Sequence, residues 1–146
     1  MEISEQVGRE NGKSMNGLPT MILIALTIMG EARGEGEEGM RLVASVIYNR
    51  ANGNKYAMAD IATDPAQFSC WRKEDPSLAL MHKYQETVSD AKAYETAIAI
   101  ALEMKSGNFN PTTTATHYCR KDCKVWWRSA MAVVGKHKNH IFYREG

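Results

Sequence analysis

A chain of 146 residues that is 44% apolar and 24% charged can bury one sizeable core, which excludes a disordered chain and favours a single domain. Its formal net charge of +1 excludes a chain-wide polyanion-binding surface. The local basic stretch Arg120, Lys121, Lys124, Arg128, Lys136 and Lys138 reads as a solvated face suited to an anionic envelope, and no nucleic-acid partner is expected.

The first seventeen residues are polar and carry Gly8, Gly12 and Gly17. Residues 1–17 read as a flexible N-terminal tail without a signal peptide, and residues 18–146 as one domain. Pro19 or Thr20 opens the first helix, since proline is tolerated in a first turn. The run from Met21 to Met29 is apolar on every face, which marks a buried helix; it is too short to span a bilayer, so no stable membrane insertion is expected. Gly30 to Gly39 holds four glycines and four glutamates and reads as a turn.

A second helix is predicted from Glu37 to Arg50, with Glu37 and Glu38 at the positive end of its dipole and Met40, Val43, Ala44 and Ile47 on one face. Asn52-Gly53 stops it. Gln67–Trp71 reads as a strand and Pro76–Val88 as a short helix. Ser89 caps a helix running to Ser106, with Tyr94, Ile98, Ala101 and Leu102 as its stripe and Gly107 at its end. Thr114–Tyr118 and His140–Tyr143 read as strands, and Trp127–Val134 as a last helix. The fold class is α+β, mainly α, with a small β-sheet.

The most unusual stretch is Gly30-Glu31-Ala32-Arg33-Gly34-Glu35. Glu31 ends a wholly apolar helix, where desolvation favours its neutral form and suits a general acid for glycosidic cleavage. The bland alternative is a helix-ending glutamate paired with Arg33 or Arg41. Glu35 lies in the glycine turn and is expected to be solvated and ionised.

Metal chemistry is the rival. Cys119, Cys123, His137 and His140 loosely imitate zinc-finger spacing, but the histidines stand one residue too close, so no metal or other cofactor is expected. His82 reads as a surface histidine. Three cysteines, Cys70 included, fit synthesis in a reducing cytoplasm. Cys119 and Cys123 are open to three readings: a nucleophile without a supporting motif, a free thiol with a packing residue, or a short disulfide formed after export.

Read together, Gly30–Glu35, Gly39, Ile47-Tyr48-Asn49-Arg50, Pro65-Ala66-Gln67-Phe68-Ser69-Cys70-Trp71, Ala115-Thr116-His117-Tyr118, Trp127 and Asn139-His140-Ile141-Phe142-Tyr143 resemble the SleB-like cell wall hydrolase family, in order and rough spacing from about Leu18 to Arg144. That family includes spore cortex-lytic enzymes and phage endolysins. The resemblance implies a lysozyme-like catalytic domain with lytic transglycosylase activity on peptidoglycan glycan strands. It makes Glu31 the catalytic acid and base, without cofactor or second carboxylate.

Gln67, Phe68 and Ser69 then either line the cleft or pack the sheet. Thr116 and Tyr118 share a strand face expected to look toward Glu31, with His117 between them. His140 makes a structural hydrogen bond or supports the site. Trp71 and Trp127 are core residues or sugar platforms. The sequence departs from the family at Lys138, where glycine is common, and at Cys119 and Cys123.

A single small domain without an export signal looks like a monomeric phage lysis protein, made in the bacterial cytoplasm and reaching the wall through a holin. A muramidase using Glu35 or Glu38, an N-acetylmuramoyl-L-alanine amidase, and a non-catalytic wall-binding module are the alternatives.

Overall fold

Helix α1 (Thr20–Ala32) is the axis of the molecule, and its composition dictates that place. Leu23, Ile24, Ala25, Ile28 and Met29 are all at most 1% exposed, so the helix must be covered on every side. It packs against α2 (Gly36–Arg50), α3 (Met58–Ala62) and α4 (Val88–Ser106). Thr27, a fully buried polar residue of this helix, donates its hydroxyl toward the carbonyls of Leu23 and Ala62, each at 3.0 Å, and accepts the Trp71 indole N–H at 2.7 Å. These features belong to a computed structural model that describes residues 19–72 and 88–145.

The first helix runs two residues past Gly30, because Ala32 is buried and the Arg33 amide closes a last turn on Met29. Only residues 33–35 remain as the connection. The second helix begins at Gly36 and buries Met40, Val43, Ala44 and Ile47 as predicted. It stops at Asn52 and Gly53, both in the left-handed region at φ 53° and 74°.

In α4 the buried face is Ala97, Ile100, Ala101 and Met104, rotated from the predicted stripe. Leu102 is 56% exposed, and Ser89 lies inside the helix and not before it. The tail 1–17, His82 and all but the last residue of the predicted Pro76–Val88 helix lie outside the described residues.

The sheet is small and antiparallel, in the order β1-β3-β2, with β1 His117–Arg120, β2 Ala132–His137 and β3 His140–Arg144. The third strand falls where predicted. The first is displaced toward the C-terminus. The predicted helix over Trp127–Val134 is instead a 3-10 turn, Trp126–Ala130, followed by β2, which pairs with β3 through a bulge at Val133/Gly135. Gln67–Trp71 is not a strand. Asp64 caps a turn by accepting the amides of Ala66, Gln67 and Phe68, and a 3-10 helix spans Ser69–Trp71. The fold is thus α+β and mainly helical. Among the described residues, no helix is long and apolar enough to cross a membrane.

Candidate active site

Glu31 sits in the last turn of α1, half-buried, at a cleft between the helices and the sheet. Its Oε2 accepts the backbone N–H of Cys70 at 3.2 Å, and its Oε1 accepts the phenol O–H of Tyr118 in a short hydrogen bond. The helix turn at Ser69–Trp71 presents that amide, which explains why the segment cannot be a ladder strand. The alternative pairing with arginine is not seen. Arg41 forks onto Glu103 at 2.8 and 2.9 Å and reaches Glu37, while Arg33 bonds Asp90.

Tyr118 comes from β1. Its ring stacks on Phe142 with centroids 5.3 Å apart and meets the edge of His140 at 5.4 Å, so the phenol is aimed by packing. Burial pushes its pKa well above the ordinary 10, and the negative charge of Glu31 pushes the same way. The phenol therefore keeps its proton and donates its hydrogen bond to Glu31.

Glu35 departs from the solvated position expected of it. Its side chain is 17% exposed and its Oε2 lies 2.8 Å from His140 Nδ1. Gly39 makes this possible. A Cβ there would stand 2.5 Å from Glu35 Cβ and 3.1 Å from His137 Nε2. The turn between α1 and α2 is thus tied to the β2–β3 hairpin end, with His137 Nε2 also 3.3 Å from the Glu35 carbonyl.

Glu31, Glu35, Gln67, Phe68, Ser69, His117, Tyr118 and His140 all line this one cleft. Phe68 does so as a core residue, 1% exposed, while Gln67 and Ser69 are exposed. Thr116 does not line it. The strand begins only at His117, and Thr116 instead positions neighbours: its Oγ1 lies 2.9 Å from His117 Nδ1 and its carbonyl accepts Arg50 Nε at 2.6 Å. Burial lowers the His117 pKa from 6.5, with the Arg50 charge adding to the shift, so its ring is uncharged at neutral pH.

Arg50, Arg72, Arg120 and Val125 also line the cleft without having been singled out as site residues from the sequence. Arg50 had a signal available: it stands four residues after Val46 on the same helix face, and both reach the cleft. Its Nη1 donates to Gln67 Oε1.

Trp71 turns inward to Thr27, and Trp127 reaches the cleft. Cys119 and Cys123 are joined in a disulfide, which removes two members of the zinc-like set; among the described residues no other group of metal ligands gathers.

A carboxyl that lines a cleft with a fixed donor on each oxygen is suited to general acid–base chemistry. Comparison with known proteins agrees with that class. A family model described as cell wall hydrolase matches residues 34–143. The chain belongs to the cell wall hydrolase family. The match begins three residues after Glu31, so the case for that residue rests on its geometry and on the resemblance of its motif.

The chain is 29% identical over 125 residues to a spore cortex-lytic enzyme of Bacillus subtilis and 31% identical over 121 residues to one of Oceanobacillus iheyensis, in each case over 79% of its own length. It spans only 35% and 39% of those two relatives. Among solved structures it is similar to the catalytic domain of the germination-specific lytic transglycosylase SleB from Bacillus anthracis, with a TM-score of 0.59 and 23% identity, covering 92% of this chain and 98% of that one. At that identity the likeness is one of fold.

Proposed function

We propose that this cell wall hydrolase family member cleaves the glycan strands of peptidoglycan between N-acetylmuramic acid and N-acetylglucosamine, as a lytic transglycosylase. The observation that carries the reading is the Glu31 carboxyl, lining the cleft with Tyr118 and the Cys70 amide on its two oxygens.

In this reaction the Glu31 carboxylic acid gives its proton to the glycosidic oxygen as the bond to the muramic anomeric carbon breaks. The leaving sugar departs as an alcohol. The Glu31 carboxylate, now held by its two donors, takes the proton of the muramic 6-hydroxyl. That oxygen closes on the anomeric carbon to form a 1,6-anhydro ring. The proton lent is returned, no water is consumed, and one carboxyl serves as acid and base.

Replacement of Glu31 by glutamine tests the assignment. The expected result is a folded protein whose dye release from purified sacculi falls at least ~100-fold. A variant retaining half the wild-type rate would overturn it. Sacculi that bind the wild-type chain without releasing dye would mark a wall-binding module.

One observation favours a second reading. Glu35 lines the same cleft, and a muramidase needs a second carboxylate near the anomeric carbon. Against it, Glu35 is already engaged by His140. The amidase reading would need zinc ligands, and loss of activity in EDTA would favour it. A phage-lysis setting, with a holin opening the way to the wall, belongs to the proposal. It predicts that induced expression lyses cells only when a holin is co-expressed.

A further inference from the structure

Trp126 is 86% exposed, the most exposed of the large apolar residues described. A scattered surface apolar residue by itself means little. Three features set this one apart.

The first is its place. Its neighbours in sequence, Val125 and Trp127, both line the cleft that holds Glu31, and Trp126 lies between them in the chain without lining it itself. The second is its direction. Trp126 opens the 3-10 turn Trp126–Ala130, where successive side chains point about 120° apart. Trp127 takes the inward position, edge-on to Tyr143 at 5.3 Å and tilted against His117 at 4.9 Å. Trp126 is thereby turned out. The third is bracing. The loop beneath is closed by the Cys119–Cys123 disulfide and by the Cys123 amide on the Arg120 carbonyl at 2.9 Å. Arg128 then forks onto the carbonyls of Cys123 and Lys121 at 2.6 and 2.7 Å. A side chain on a braced loop loses little freedom on binding, so its contact area converts efficiently into affinity.

We infer that the Trp126 indole is a stacking platform for a sugar ring of the glycan strand, one that extends the cleft beyond the bond being cut. This rests on the proposed reaction and adds to it a residue that holds the polymer. A flat aromatic face with one polar edge matches a pyranose, which offers C–H groups on its faces and hydroxyls around its rim. An anionic lipid surface is the competing partner, because Lys121 and Lys124 are exposed on the same loop. A lone indole with Val125 beside it is a small apolar area for membrane insertion, and the continuity with the cleft favours the strand.

The test uses the full chain carrying Glu31→Gln, so that the strand stays intact, and measures sedimentation with purified sacculi. Adding Trp126→Ala should weaken binding about 5- to 10-fold, and Trp126→Tyr should restore most of it. Tyr56→Ala removes another exposed aromatic, 69% exposed and on the segment between α2 and α3, and should change nothing. In the active chain, Trp126→Ala should raise KM by a similar factor and move kcat less than twofold. The platform is overturned if Trp126→Ala binds sacculi within twofold of its parent. It is equally overturned if that variant loses only its binding to anionic phospholipid vesicles. A parent that binds sacculi while the chain with Glu31 intact fails to cut them would overturn the proposed reaction and leave the platform standing. A parent that does not bind, beside a chain with Glu31 intact that cuts, would overturn the platform and leave the proposed reaction standing.

Discussion

Replacing Tyr118 by phenylalanine removes one oxygen and leaves the ring. The stack on Phe142 and the edge contact with His140 survive, while Glu31 Oε1 loses its donor and Oε2 keeps the Cys70 amide. A hydrogen bond to a charged group contributes roughly 1.5–3 kcal/mol. That contribution is felt when Glu31 has given up its proton, so it belongs to the chemical step. The expected consequence is a kcat lowered about 10- to 100-fold on saturating sacculi.

Stability should change little, by ~1 kcal/mol or less and a few degrees in Tm, since the partly buried ring is retained. The pH profile adds a second check. The phenol is held well above its ordinary pKa of 10, so the wild-type enzyme should show no loss from tyrosine ionisation below about pH 10. Turbidity clearance and thermal unfolding of the same preparations measure all three. A Tyr118→Phe enzyme with kcat within twofold of wild type and an unchanged Tm would refute the role given to this hydrogen bond.

Gly39→Ala should destabilise by about 1–3 kcal/mol in denaturant unfolding and reduce activity, because the new methyl would stand 2.5 Å from Glu35 Cβ, which cannot yield without moving the turn beside Glu31. An alanine variant of wild-type stability would show that the turn gives way. The Arg41–Glu103 fork should couple α2 to α4 by ~0.5–1 kcal/mol at neutral pH, a modest figure because Glu103 is 35% exposed. Its hydrogen bonds to Arg41 lower the Glu103 pKa from 4.5, so this stabilisation is complete above that value and is lost as pH falls through the lower, folded one. A double-mutant cycle at neutral and at strongly acid pH checks the sign, and a coupling that persists in acid would contradict it.

Helices α1 and α2 were legible because local signals and burial agree, whereas the short α3 carried no signal that was read. The apolar run of α1 and the one-sided pattern of α2 both demand a core, and Asn52-Gly53 punctuates the second helix with residues that tolerate positive φ. The sheet was harder to read because pairing decides it. Ala132–Val134 reads locally as the end of a helix, yet β3 offers Ala132–His137 a ladder, and β1 is placed by its register against Phe142 and Ile141. Gln67–Trp71 has the composition of a strand, but Asp64 captures its first amides and Glu31 captures that of Cys70.

Glu31 stood out from its position after the apolar run. Glu35 misled, because the sequence shows a glycine turn and hides the histidine that folds back over it. The role of the Cys70 amide depends on a contact between distant segments that no local pattern reveals.

The reaction itself is read most directly from its products. Purified peptidoglycan is digested with the wild-type chain and the soluble fragments are weighed by mass spectrometry. Attack by the sugar's own 6-hydroxyl, with Glu31 as both acid and base, predicts 1,6-anhydro-muramic ends as the main new termini, each lighter by one water than a hydrolysed end. Reducing muramic ends alone would contradict that account and would make Glu35, already in the cleft, the second catalytic carboxylate.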